Sequence, residues 1–250
     1  MPKTRQPPAT TDRRPATTGR RPIHAGGGIE SHWHDRHQIV YAGRGVLSVT
    51  TDAGTWVTPG TRALWIPAGT HHQHRAYGET TLHTIGLTEN PLNLTTPTAL
   101  VVSPLLRELI LAYTSEDTTR QEERERLRGV LLDQLRGSDQ RPTYLPAARD
   151  ARLAGVCELL RGDPADSRTL LEFGRVVGAS ERTLSRLCQR ELGMTFPQWR
   201  TQLRLHAALI RLAEGETVTR VAHACGWAST SAFIDTFKRA FGHTPGARNA

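Results

Sequence analysis

Seven of the 11 histidines fall between residues 32 and 83: His32, His34, His37, His71, His72, His74 and His83. Neutral imidazole ligates divalent metals and hydrogen-bonds small polar molecules, so such clustering marks a candidate site. Along a strand the side chains alternate faces. His32 and His34 therefore share a face, and Gln38 has the same parity if no bulge intervenes.

The elements that carry these histidines read as strands. From Ile23 to about Leu87 the runs QIVYA, GVLSVTT, GTWVT, ALWIP and TTLHTIGL are separated by Gly, Pro and Asp, an antiparallel β pattern. DAG at 52–54 predicts a hairpin turn. Several such hairpins close into a small barrel or jelly roll enclosing a pocket. The expected lining is His32, Trp33, His34, Gln38, Tyr41, Trp65, His72 and His74.

The spacing resembles the cupin pattern. His32, His34, Gln38 and Gly45 match the first cupin motif, and Pro67, Gly69 and His72 the second, but Gln38 replaces the usual Glu. That resemblance implies a β barrel and, if a metal is held, His32, His34 and His72 as its ligands. Without the carboxylate a divalent ion is held less tightly and its charge is not neutralised. Three readings stand: a pocket sensing a small-molecule effector, a metal-dependent cupin oxygenase, or strand-end histidines satisfied by water and backbone.

Beyond this half, residues 104–113 and 121–136 read as amphipathic helices. Their stripes are Leu105, Leu106, Leu109 and Ile110 in one, and Leu127, Val130, Leu131 and Leu135 in the other. They pack on the barrel or form a homodimer contact. A Pro-containing stretch from Ser138 to Pro146 reads as linker.

The last 85 residues contain a repeat. Leu184, Cys188, Arg190, Leu192, Gly193 and Thr195 return as Phe233, Phe237, Arg239, Phe241, Gly242 and Thr244, a constant offset of 49. The offset is 48 at Gly178 and Gly226, so the second turn is one residue longer. Each copy reads as helix, Gly-containing turn, helix and Gly cap, a helix-turn-helix. Thr169 with Glu172, Ser180, and Thr217 supply N-caps, and Pro197 sits in the first turn of the connecting helix.

SxRTLxRL at 180–187, ELGMTFPQWR at 191–200, LRLxxALxRLAEGExV at 203–218 and SAFIDTFKRAFGHTP at 231–245 resemble the AraC family of transcriptional regulators. Gly174 departs from the family's usual Ala and is expected to soften its helix by about 1 kcal/mol. The resemblance implies that the second helix of each copy enters the major groove of double-stranded operator DNA. Carried over residue by residue, the candidate base readers are Arg182, Ser185, Arg186, Thr230, Ser231 and Asp235, the last either accepting from cytosine N4 or sitting on the rim. Arg190, Arg200, Arg204, Lys238 and Arg239 are candidates for phosphate contact or for a solvated helix face. RNA polymerase is a further implied partner.

Charge agrees with this division. Residues 1–22 carry 6 basic and 1 acidic side chains, residues 23–165 carry 14 and 16, and residues 166–250 carry 12 and 7. The expected fold class is α+β, with an N-terminal antiparallel, cupin-like β barrel, bridging helices and an all-α C-terminal domain holding two helix-turn-helix motifs. The expected organisation is a disordered basic tail (1–22), a sensor domain (23–100), a helical bridge (101–137), a linker with a lead-in helix (138–165) and a DNA-binding domain (166–250). No window approaches the roughly 18 uninterrupted apolar residues of a membrane span, and no secretion signal precedes the first strand, so a cytoplasmic location is expected. Cys157, Cys188 and Cys225 are too few and too far apart for a disulfide framework and read as buried hydrophobes. The reading is a homodimeric, effector-controlled, non-enzymatic DNA-binding regulator without a cofactor; the rival is a metal-dependent cupin enzyme with an appended DNA-binding module.

Overall fold

The computed structural model describes residues 12–115, 120–140 and 144–246. Two long strands organise the N-terminal half: β4 (His37–Thr51) and β7 (His72–Leu87) pair antiparallel from His37↔Leu87 to Thr50↔Gln73. On its other edge β4 takes β6 (Arg62–Ile66) along its first half and β5 (Gly54–Pro59) along its second. The free edge of β7 takes β2 (Gly19–Ile23) and β3 (Gly28–Trp33). The β4–β7 register shifts between Ala42 and Val46, where Gly45 has a left-handed φ of 76°. There the sheet turns a corner, which a Cβ at Gly45 would obstruct by meeting the Glu79 carbonyl oxygen at 2.9 Å.

The expected hairpin joins Thr51 to Gly54. β8 (Thr98–Val101) adds to β6, and β1 (Asp12–Arg13) runs parallel to β3. The sheet is folded over, mixed rather than wholly antiparallel, and not closed by hydrogen bonds into a ring among the described residues. Val40, Ala42, Leu47, Val49, Leu64, Ile66 and Leu82 fill its interior.

Residues 12–22, read as part of a disordered tail, belong to the segment built into this sheet; residues 1–11 lie outside the described residues. The Arg14 N–H donates to the Trp33 carbonyl at 3.0 Å, and the Gly86 N–H donates to Thr18 Oγ1 at 3.1 Å. A polar segment needs no apolar side chains to order when an open strand edge offers backbone partners, and β3 and β7 both offer one. The same reason corrects the linker. Within it, β9 (Tyr144–Pro146) pairs with β5, and Tyr144 stacks on Trp56 with ring centroids 4.6 Å apart.

Two helices cover the outer face of the sheet. α1 (Pro104–Thr114) is capped by Ser103, and α2 (Gln121–Arg136) starts on Glu122 and Glu123 and ends on Arg136. Leu106, Leu109, Ile110 and Tyr113 of α1 and Leu131, Leu132 and Leu135 of α2 pack against Ile39, Tyr41, Trp65 and Ile85. Covered on both sides, β4 is buried at five consecutive positions from Gln38 to Ala42. Leu105 and Val130 remain outside, 53% and 47% exposed.

The C-terminal half is helical: α3 (Ala151–Gly162), α4 (Leu170–Val177), α5 (Glu181–Leu187, prolonged by a π turn over Cys188–Leu192), α6 (Phe196–Ala213), α7 (Val218–Ala224) and α8 (Thr230–Phe241). The caps fall where the side chains require them. Thr169 and Glu172 form a capping box, Ser180, Thr217 and Ser229 accept from their own first turns, and Gly178, Gly193 and Gly242 close helices with positive φ. The three cysteines are free and buried.

Gly174 has a steric reason that helix propensity misses. A Cβ there would lie 2.3 Å from the Ala179 carbonyl oxygen of the following turn. The equivalent position of the second copy holds buried Ala222, and that copy's turn is one residue longer. The shorter turn thus leaves no room for a methyl group. Gly174→Ala is expected to destabilise by about 1–3 kcal/mol through overpacking, despite its better propensity. Thermal melting checks this; a raised midpoint would show that the turn can give way.

Candidate nucleic-acid interface and histidine pocket

Each helix-turn-helix buries an apolar stripe and presents the opposite face to solvent. In α5 and its π turn Leu184, Leu187, Cys188 and Leu192 are buried, while Arg182, Ser185, Arg186, Gln189 and Arg190 are exposed. In α8 Phe233, Phe237 and Phe241 are buried, Ser231, Asp235, Lys238 and Arg239 are exposed, and Thr230 is half-buried in the first turn. All six expected base readers therefore lie on the open sides of their helices or at their first turn.

The phosphate set divides. Arg190, Lys238 and Arg239 are outward, although the Arg190 guanidinium also pairs with Glu191 at 2.9 Å. Arg200 and Arg204 are turned into the protein. Arg200 donates to the Arg168 carbonyl and lies 4.4 Å over the Phe196 ring. Arg204 donates to the carbonyls of Pro164 at 2.9 Å and Asp166 at 3.4 Å. Desolvation by burial lowers the pKa of both, the mark of guanidinium groups spent on internal contacts. Expecting them at phosphates is corrected on that ground.

The histidine pocket is a separate site, a cavity of about 170 Å³. His32, His34, Gln38 and His74 line it together with Arg14, Arg20 and Arg21 from the N-terminal segment, and among the described residues no carboxylate joins them. Its volume is below the roughly 300–1,000 Å³ of sites for drug-sized molecules, so a ligand there is small. His72 packs against His32 with ring centroids 4.4 Å apart. The rings are oriented from behind: Nδ1 of His32, His34 and His72 lies 2.7, 2.6 and 2.8 Å from the carbonyls of Glu30, Arg14 and Thr70. A carbonyl can only accept, so each Nδ1 carries the hydrogen and each Nε2 keeps its lone pair. Burial pushes the pKa of His72 down to about 4 and that of His74 well below the usual histidine value.

Three expected lining residues are elsewhere: Trp33 lies beside His71, ring centroids 6.3 Å apart, and Tyr41 and Trp65 lie under the helices. Tyr41 and Trp65 have the opposite parity to Gln38 and Ile66 and point toward α1 and α2. The Tyr41 hydroxyl donates to the Gly60 carbonyl at 2.8 Å, and Trp65 Nε1 donates to that of Leu94 at 3.0 Å. Both are core. His83 also faces the helices, with Nδ1 2.6 Å from Thr114 Oγ1, which itself donates to the Ile110 carbonyl.

The family described as "Helix-turn-helix domain" matches residues 173–248. The HTH-type transcriptional regulator NimR of Escherichia coli is 35% identical over 218 residues, 86% of this chain and 80% of that regulator. The HTH-type transcriptional regulator RipA of Corynebacterium glutamicum is 38% identical over 109 residues, 43% of this chain and 32% of RipA. A putative AraC-like transcription regulator of Streptomyces lividans is 31% identical over 104 residues, covering 41% of this chain and 34% of its own. The chain belongs to the AraC family of transcriptional regulators. As an AraC-family regulator it is a DNA-binding protein, and no helix among the described residues is long and apolar enough to cross a membrane.

In this AraC-family chain the pocket residues that sequence reasoning missed are Arg14, Arg20 and Arg21. Their polar surroundings gave no apolar signal; only the open edges of β3 and β7 place them. Two expectations follow from the site. Arg200→Ala is expected to lower stability by about 1–3 kcal/mol, losing a stacked cation and a backbone hydrogen bond, whereas Arg182→Ala stays within about 0.5 kcal/mol. Chemical denaturation of both variants decides it, and equal stability would return Arg200 to the phosphate set.

The second concerns pH. Burial pushes the pKa of His83 from 6.5 down to about 4, so between those values the unfolded chain binds a proton that the folded chain refuses. Stability is then full above about pH 6.5 and falls as the pH drops toward about 4. His83→Gln, which keeps a donor for Thr114, should remove part of that slope in urea midpoints taken at about pH 7 and about pH 4.5. An unchanged slope would mean that His83 is not held neutral.

Proposed function

We propose that this regulator reads operator DNA with α5 and α8 in successive major-groove segments, and that a small ligand in the histidine pocket sets its affinity. The observation that carries the reading is the placement of two recognition helices on one connecting helix. Phe196, Trp199 and Leu203 of α6 enter the core of the first motif, and Leu205, Ala208 and Leu209 enter that of the second. The spacing of the two reading faces is thereby set by a single rigid rod. Arg182 and Arg186 read bases in the first half-site with Ser185, and Thr230, Ser231 and Asp235 read those in the second. Arg190, Lys238 and Arg239 hold phosphates.

Support for ligand control comes from the packing of the sheet. Val46 and Val57 share a core with Leu205 and Leu209 of α6, so the domain that holds the pocket touches the rod that holds the readers. His32, His34, Gln38, His72 and His74 are the effector residues in this reading. Leu105 and Val130, left exposed on α1 and α2, support a homodimer contact on that side. The protein acts where its operator is, in the cytoplasm.

The test is selection of bound fragments from genomic DNA by the full-length protein at two salt concentrations, beside Arg182→Ala/Arg186→Ala. A bidentate arginine–guanine contact is worth about 1–3 kcal/mol, so the double variant should blur one half of the selected motif and leave the other sharp. Lys238→Ala should weaken all sequences alike and reduce the salt slope by about 1. Binding without a motif that fades steeply with salt in both proteins would overturn sequence-specific reading.

A further inference from the structure

The histidine pocket gathers polar atoms that no described residue answers. His34 Nε2, His72 Nε2 and His74 Nδ1 are buried with no hydrogen-bond partner among the described residues, and Gln38 Oε1 is in the same position. Leaving a buried acceptor unsatisfied costs about 1–3 kcal/mol each, and here several converge on one cavity. The backbone makes a detour to bring them together. Ile29 pairs with His74, so an unbroken ladder would set His32 opposite His71, on the other face; a register shift between Ile29 and His32 sets it opposite His72 instead. One ring nitrogen from each of His32, His72 and His74 then lies within 4.8 Å of the others.

We propose that His32, His72 and His74 bind a divalent transition-metal ion whose open position, facing Arg14, Arg20 and Arg21, takes a small anion. Nitrogen ligands at about 2.0–2.1 Å from one ion lie about 3.4 Å from each other in a tetrahedral site. Closing the present separation requires ring movements of about 1 Å, within reach of a χ rotation. An all-imidazole set favours zinc, copper, iron or nickel over magnesium or calcium, which require oxygen ligands. With no carboxylate in the lining, the ion's charge and three guanidinium groups call for an anion at the open position.

This trio differs from the set that the cupin spacing implies, because His74 replaces His34. His34 does not join the group whose ring nitrogens all lie within 4.8 Å of one another; with its Nδ1 2.6 Å from the Arg14 carbonyl, it is a positioning residue that ties the arginine-bearing segment to the pocket. The carbonyls behind His32 and His72 are the outer-shell partners that metal-bound imidazoles require.

The test uses full-length protein freed of metal by chelator and dialysis, titrated with Co²⁺ followed by its visible d–d absorption and with Zn²⁺ by equilibrium dialysis. The wild type should take about one equivalent and melt at a higher temperature when loaded. His74→Gln and His72→Gln should each lose at least about 100-fold in affinity while keeping the wild-type far-UV spectrum, and His34→Gln should lose less than about 10-fold. Absence of stoichiometric binding, wild-type affinity in His74→Gln, or loss confined to His34→Gln would each overturn the proposal. If His74→Gln does not fold, ¹⁵N shifts of the histidine rings in Zn²⁺-loaded wild type decide: a ligated His74 supports the site, and a ligated His34 in its place refutes it. Operator selection is independent of this measurement, so a protein that reads DNA yet takes no metal loses this inference and keeps the proposed function.

Discussion

The burial of α6 on three sides is the constraint on which the molecule depends. Its first half closes the core built by α3, α4 and α5, its second half closes that of α7 and α8, and the outer face of β4 and β5 rests on it through Val46 and Val57. Burying one large apolar side chain contributes about 1.5–3 kcal/mol, and Trp199, Leu203, Leu205 and Leu209 are all nearly inaccessible. Arg204 extends the same economy: its guanidinium crosses from α6 to the carbonyls of Pro164 and Asp166, and a Cβ at Gly226 would strike it at 2.7 Å. One side chain thereby joins the lead-in of the first motif to the turn of the second.

What was legible in the sequence was whatever local chemistry determines. The caps at Thr169, Ser180 and Thr217, the 49-residue repeat and the connecting helix are written in side chains a few positions apart, and all appear in the structure. The outward faces of α5 and α8 follow from helical periodicity for the same reason. The errors have a common origin in partners distant along the chain. Residues 12–22 and Tyr144–Pro146 order by pairing with open strand edges, which no composition reveals. Arg200 and Arg204 lie on a helix that reads as amphipathic, but its polar stripe meets the carbonyl ends of Pro164, Asp166 and Arg168 before it meets solvent.

Tyr41 and Trp65 are a different case, since the information was present. Gln38 and Tyr41 differ by an odd number of positions on one strand and must face opposite ways: Gln38 lines the histidine pocket, and Tyr41 lies in the core under α1 and α2. Gly174 is the reverse: a turn shorter by one residue, visible as the change of offset, already explains why glycine stands where the second copy has Ala222. The site itself was half legible. Strand parity finds His32 and His34, but only the register shift after Ile29 reveals that His32 turns to His72 and His74.

The long strand β7 connects the two functional regions directly. It begins at His72 and His74, pairs Tyr77 with Val46 at the edge of the α6 contact, and at Gly78 passes so close to α6 that a Cβ would meet the Ala213 carbonyl at 2.6 Å. From His74 to Tyr77 is about 10 Å along a strand, with no flexible loop between. A ligand shifts operator affinity only by the difference in its affinity for two arrangements of sheet and rod. A cavity of about 170 Å³ admits too few atoms to bridge both domains, so any such preference is carried by the strands between them, of which β7 and β4 both reach from the pocket to the α6 contact. Gly78 permits the close approach on which such a coupling would depend: a larger side chain there would meet the Ala213 carbonyl and hold the sheet off α6.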